Sequence, residues 1–235
     1  MNRMDFIQAV SRTRVLETRL LSRVTVERMV DAKDIEEVIK ILGETEYAGA
    51  IGGLNRAEEY EKILSAELKR VYKLMYEIAK DPTVVDLLAL KYDYHNLKVL
   101  VKEKLLGKDF KNLYIPIGKL DLEKVRAAYI GGNLKDEIDV RFKEALDHVD
   151  RDFEENKDPQ RIDIILDKYY FSHLYDLAKE TEIPLFINYV QDLIDFTNIK
   201  TLIRIKKQNK DMKFLEEAII PNGKIEPQEI VLSLH

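Results

Sequence analysis

One pattern occurs twice in this chain, in the same order, and it limits the possible architectures more than any other feature. Tyr92-Asp93-Tyr94-His95-Asn96-Leu97-Lys98-Val99-Leu100 corresponds to Ile194-Asp195-Phe196-Thr197-Asn198-Ile199-Lys200-Thr201-Leu202, 102 residues further on. Ile115-Pro116-Ile117-Gly118-Lys119-Leu120-Asp121 corresponds to Ile220-Pro221-Asn222-Gly223-Lys224-Ile225-Glu226, 105 residues further on. Each copy reads as a long helix, a Pro-Gly loop and a helix start. Two matches in register indicate one helical unit used repeatedly. A further match pairs the Asp81-Pro82 and Asp158-Pro159 helix starts, 77 residues apart. Arg14-Val15-Leu16, followed by Leu20-Leu21, is a fainter counterpart of Lys98-Val99-Leu100 and Leu105-Leu106. Units that bury shared faces stack into curved or ring-like bodies. The spacing divides the chain into repeats over 1–91, 92–193 and 194–235, the third cut short.

Apolar spacing is helical almost throughout, and no alternating strand pattern stands out. Phe6, Ala9, Val10, Thr13 and Leu16 share a face that Leu20, Leu21 and Val24 extend. Asp34 should cap a short helix that Gly43 ends. Ala48 to Gly53 reads as a loop. A long helix is predicted from Arg56 to about Lys80, with Tyr60, Ile63, Leu64, Leu68, Val71, Leu74, Met75 and Ile78 facing inward. Further helices are expected over 83–106, 122–130, 134–156 and 159–180, with a last long one after Pro184 to about Lys207. Asp-Pro pairs and Gly107 supply the breaks. The fold class is therefore all-α.

Composition closes several routes. The net charge of −5 argues against nucleic acid, because phosphate binding needs a concentrated positive field. There is no cysteine, so disulfides, thiolate catalysis and cysteine metal sites are excluded. The N-terminus carries Arg3 and Asp5 and lacks the apolar core of a signal peptide. No apolar stretch approaches the roughly 20 residues of a membrane span. His95, His148, His173 and His235 show no metal-ligand spacing. Gly118-Lys119 and Gly223-Lys224 lack the spacing of a phosphate-binding loop, and Gly49, Gly52 and Gly53 form a turn cluster. The carboxylates are spread over solvated helix faces and single out no acid/base pair.

Five polar positions stand out instead. Asn96 and Asn198 occupy the same place in two long helices, where asparagine costs helix propensity. A shared buried hydrogen bond or a polar surface for a partner would explain them. Lys98 and Lys200, two residues on, read as solvated or partner-facing, and Arg14 is their fainter counterpart. Tyr92, Tyr94, Tyr169, Tyr170 and Tyr175 read as core, each hydroxyl at the core edge finding a partner, with a partner-binding surface as the alternative.

These residues resemble the C subunit of V/A-type ATPases, called d in eukaryotes. The resemblance rests on 92–98, on 195–200 and on the Asp163, Lys168, Tyr169, Tyr170 helix. Arg14-Val15-Leu16-Glu17 and Gly43-Glu44-Thr45-Glu46-Tyr47 fit as well. It covers nearly the whole chain. It implies an all-α protein of three similar helical domains in a pseudo-threefold funnel. It implies a non-catalytic central-stalk socket that turns with the rotor, seated on the membrane proteolipid ring and receiving the D and F shaft subunits. It implies no cofactor, and a cytoplasmic position reaching the membrane only through the ring. Arg14, Asn96, Lys98, Asn198 and Lys200 would mark equivalent partner-binding places around the funnel. The shortened third repeat would leave an open edge and some self-association. A helical-repeat adaptor for soluble partners is the alternative.

Overall fold

The computed structural model describes residues 3–52, 56–132, 134 and 138–233. The all-α expectation holds: among the described residues there is no strand. The chain divides into two compact units, Met1–Val85 and Asp86–His235.

The first unit contains α1 (Ile7–Glu17), α2 (Arg23–Val30), α3 (Ile35–Leu42), α4 (Ala48–Ile51) and α5 (Tyr60–Ile78). The apolar face expected to run from Phe6 to Val24 is broken between α1 and α2. Ser22 leaves helical geometry, and its hydroxyl accepts the Thr25 N–H at 3.1 Å, so a new helix starts there. Asp34 caps α3 through the Glu37 N–H at 2.9 Å, and Gly43 ends it, as the sequence predicts. Ala48–Ile51 forms a turn of helix instead of a loop; Gly53 lies outside the described residues.

The inward face predicted for α5 is largely not covered within its own unit. Ile63 is buried, but Tyr60, Leu64 and Val71 are exposed and the remaining positions are half-buried. The reason is size: α1 to α4 have 4 to 11 residues each, too short to cover a 19-residue helix.

The second unit contains α6 (Thr83–Leu106), α7 (Leu122–Ile130), α8 (Val140–Asn156), α9 (Pro159–Glu180), α10 (Pro184–Gln208), α11 (Met212–Ala218) and α12 (Pro227–Leu232). Aspartates set most of the starts: Asp121, Asp139, Asp158 and Asp211 each accept a first-turn N–H. Pro159 and Pro184 sit where a helix has no N–H to lose. Pro184 thus begins α10. The helix expected from Leu134 begins at Val140, because Asp139 caps it; residues 135–137 lie outside the described residues. Gly107, at φ +60, closes α6.

One large core joins α6, α8, α9 and the first half of α10, through Leu97, Leu100, Leu146, Val149, Leu166, Leu174, Val190 and Ile194. A smaller core of Ile205, Leu215, Ile219 and Ile230 ties the end of α10 to α11 and α12. Tyr94 is buried, and Tyr169, Tyr170 and Tyr175 pack against the large core, as the core reading expects; Tyr92 is half-buried.

Leu166 has no exposed surface. Leu166→Ala should cost about 3 kcal/mol in urea unfolding, whereas Val10→Ala, at an exposed site, should cost under about 0.5 kcal/mol.

Candidate functional site

The repeated pattern folds into a repeated device. In each copy a long helix holds the following Pro-Gly loop through two side chains one turn apart. Asn96 donates its amide N–H to the Ile115 carbonyl at 2.7 Å and accepts the Ile115 N–H at 2.8 Å. Asn198 does the same to Ile220, at 2.8 and 2.9 Å. Asp93 then accepts the Lys119 and Leu120 N–H groups at 3.2 and 3.1 Å. Asp195 accepts those of Lys224 and Ile225, at 3.0 and 3.2 Å. Both asparagines are 1% exposed.

Each glycine in these loops answers its aspartate. A Cβ on Gly118 would overlap the Asp93 carboxylate, coming within 2.6 Å of Cγ. A Cβ on Gly223 would overlap the Asp195 carboxylate oxygen. Gly118 also has φ +102, a conformation other residues adopt only under strain. The second loop turns differently, with Asn222 at φ +71. The same four bonds are thus reached by two backbone routes. The loop lysines complete the device: Lys119 pairs with Asp86 at 2.6 Å and Lys224 with Asp192 at 2.5 Å. The Gly-Lys pairs therefore do not form an anion cradle. The N–H groups a phosphate would take are already given to a carboxylate.

Burial pushes the Asp93 carboxyl up to about 6, with the nearby Asp86 charge adding to the rise. The two N–H donors and Lys119 oppose that rise without cancelling it. A second buried charge lies further along α6. Glu103 meets Arg126, which holds its carboxyl below the usual range, and accepts the Tyr114 hydroxyl at 2.7 Å.

The singled-out positions have different surroundings: Asn96 and Asn198 are buried, Lys98 is half-buried, and Arg14 and Lys200 are exposed. Asn96 and Asn198 realise the shared buried hydrogen bond and spend their amides on the chain itself. Lys98 reaches α9, where its Nζ donates to Asp167 at 2.6 Å. Lys200 is exposed. Arg14 is exposed and pairs with Glu17 of its own helix at 2.7 Å. Asp93, Asp195, Gly118 and Gly223 were missing from that set. Their recurrence at the same offsets was the available signal. The histidines serve structure: His95 bonds the Leu113 carbonyl at 2.9 Å, and His173 approaches the Tyr94 hydroxyl at 3.4 Å. His235 lies outside the described residues. Among the described residues no acid or histidine cluster could hold a metal ion, and no helix is long and apolar enough to cross a membrane.

The described residues thus define an all-α chain with a helix-and-loop device used twice. Comparison makes this specific: residues 9–234 match the family described as ATP synthase (C/AC39) subunit, and the chain belongs to that family. It is 29% identical over 218 residues to the V-type sodium ATPase C subunit of Enterococcus hirae, covering 92% of this chain and 65% of that one. It is 26% identical over 209 residues to the V-type ATP synthase C subunit of Thermus thermophilus, covering 86% and 64%. It is 23% identical over 228 residues to the A-type ATP synthase C subunit of Methanocaldococcus jannaschii, covering 91% and 57%. The chain thus spans roughly three fifths of the length of these relatives. The family is a structural, non-catalytic subunit, in agreement with the expectation of a chain that is not an enzyme.

Asn198→Ala removes both partners of a buried peptide group. It should cost about 2–4 kcal/mol in urea unfolding, and Asn198→Asp should not rescue it, since a carboxylate cannot donate to the Ile220 carbonyl. Asp93 carries a sign-definite pH signature. Its folded value is raised, so its contribution is full below 3.8 and is lost as pH rises through about 6. The stability of wild type relative to Asp93→Asn should therefore grow by about 2 kcal/mol from pH 7.5 to pH 4. Parallel urea titrations of both proteins would check this.

Proposed function

We propose that this chain serves as a non-catalytic rotor subunit of a V/A-type ATPase, connecting the D and F shaft subunits to the membrane proteolipid ring. The observation that carries the reading is the family match over residues 9–234. The relatives named above are subunits of V-type and A-type ATPases and ATP synthases. In this reading the chain lies on the cytoplasmic face and reaches the membrane through the ring. Its helical repeats, 1–91, 92–193 and 194–235, are parts of a funnel-like body with pseudo-threefold character.

Stiffness supports the reading physically. A connector under load must not yield, and close-packed helical cores resist deformation. The buried Asn-and-Asp device adds hydrogen bonds that hold two loops rigidly on their helices. Partner binding is assigned to exposed charged positions, with Arg14 and Lys200 the available members of the singled-out set. Asn96, Lys98 and Asn198 act on partners indirectly, by fixing the loops and helices that present the surface.

The test is reconstitution. The tagged chain, mixed with purified D–F shaft complex and with detergent-solubilised proteolipid ring, should retain both. Failure to retain either would overturn the socket reading and favour an adaptor for soluble partners. Arg14→Glu combined with Lys200→Glu should weaken retention while leaving the melting temperature within about 2 °C.

A further inference from the structure

α10 carries a second apolar face. Leu185, Tyr189, Phe196, Ile199 and Ile203 are exposed, at 70, 45, 65, 37 and 48%. Their steps of 4, 7, 3 and 4 residues place them in one stripe with the spacing of a helix-packing seam. Asp192 fills the gap in that stripe and is paired with Lys224. The opposite face of α10, with Val190, Ile194 and Ile205, is already buried.

The internal repeat says what belongs on the stripe. At the 102-residue offset, Tyr189, Asp192, Phe196, Ile199 and Ile203 correspond to Leu87, Leu90, Tyr94, Leu97 and Val101 of α6. All five of those are at most 5% exposed. They are covered by α8 and α9: the Tyr94 ring lies 5.3 Å from Phe142 and 5.7 Å from Tyr170. The junction is fixed by charge. Lys98 pairs with Asp167 at 2.6 Å and Lys102 with Asp163 at 2.9 Å. The pairing runs antiparallel, with two lysines one turn apart facing two aspartates one turn apart.

The same offset carries Lys98 and Lys102 to Lys200 and Arg204. Both cations are kept, at the same spacing, beside the same stripe. Both are exposed, and neither has an ion pair or hydrogen bond among the described residues. The geometry points to α10 as the docking face for an antiparallel amphipathic helix of the α9 kind. That helix bears an apolar stripe and two carboxylates one turn apart, which meet Lys200 and Arg204. A second copy of this chain is a poor occupant, because its Asp163 and Asp167 are already held by its own Lys102 and Lys98. Only the correspondence of α6 with α10 is required here, and the rotary reading is not. Either can fail while the other stands.

The test uses the full chain and a fluorescent peptide of residues 159–180, locked helical by a side-chain staple and verified by circular dichroism. Anisotropy should show saturable binding to the wild-type chain. Lys200→Glu with Arg204→Glu should weaken it by about tenfold. A peptide carrying Asp163→Lys and Asp167→Lys should regain that affinity on the charge-reversed chain and on no other. Exchange at the α6 junction would not respond to Lys200 and Arg204. Absence of binding by the helical peptide, or binding indifferent to the charge swap, overturns the proposal. So does a concentration-dependent dimer abolished by Phe196→Lys in sedimentation, which would make a second copy the occupant.

Discussion

A loop laid across the side of a helix buries peptide groups that can no longer reach water, and each one left unpaired costs about 1–3 kcal/mol. The second unit is organised around how that requirement is met. Asparagine offers an acceptor and a donor on one short, planar group, so it satisfies both halves of one peptide unit at once. Aspartate offers only acceptors, and it stands where the loop turns two N–H groups toward the helix. The two side chains are three residues apart, one turn of helix, so a single face of α6 or α10 presents both. The helix that follows each loop starts from this fixation. α7 starts from the loop held by Asp93 and Asn96, and α12 starts from the loop held by Asp195 and Asn198.

Much of this was legible in the residues, and the limits were physical. α9 and α7 begin and end where the sequence placed them, because Asp-Pro, Asp121 and Gly131 are local signals that no distant neighbour overrides. The break between α1 and α2 was hidden because Leu20 and Leu21 continue the apolar spacing of α1. Asn96 and Asn198 stood out as unusual, but their partner is a peptide group, and peptide groups look alike in every sequence. Asp93 and Asp195 were lost among 43 acids until the structure gave them loops to hold.

Lys98 and Lys200 show the other limit. They occupy the same repeat position, follow the same asparagine and would be read identically. Lys98 is half-covered by α9 and bonded to Asp167; Lys200 stands exposed. What a helical face buries is decided by the element laid on it, which periodicity does not name. The same reasoning applies to α5, whose apolar spacing is clear and whose own unit covers only part of it.

The arrangement around α6 also governs how that helix can move. One side is bolted to a loop by Asn96 and Asp93, and another is bolted to α9 by Lys98 and Lys102. A rod gripped at two points of its circumference cannot roll about its own axis without breaking one grip. α10 has the loop grip and, on its buried face, the packing of both cores, while its Leu185–Ile203 stripe stays exposed. A helix docked on the Leu185–Ile203 stripe would add to α10 the paired-charge grip that α6 already has.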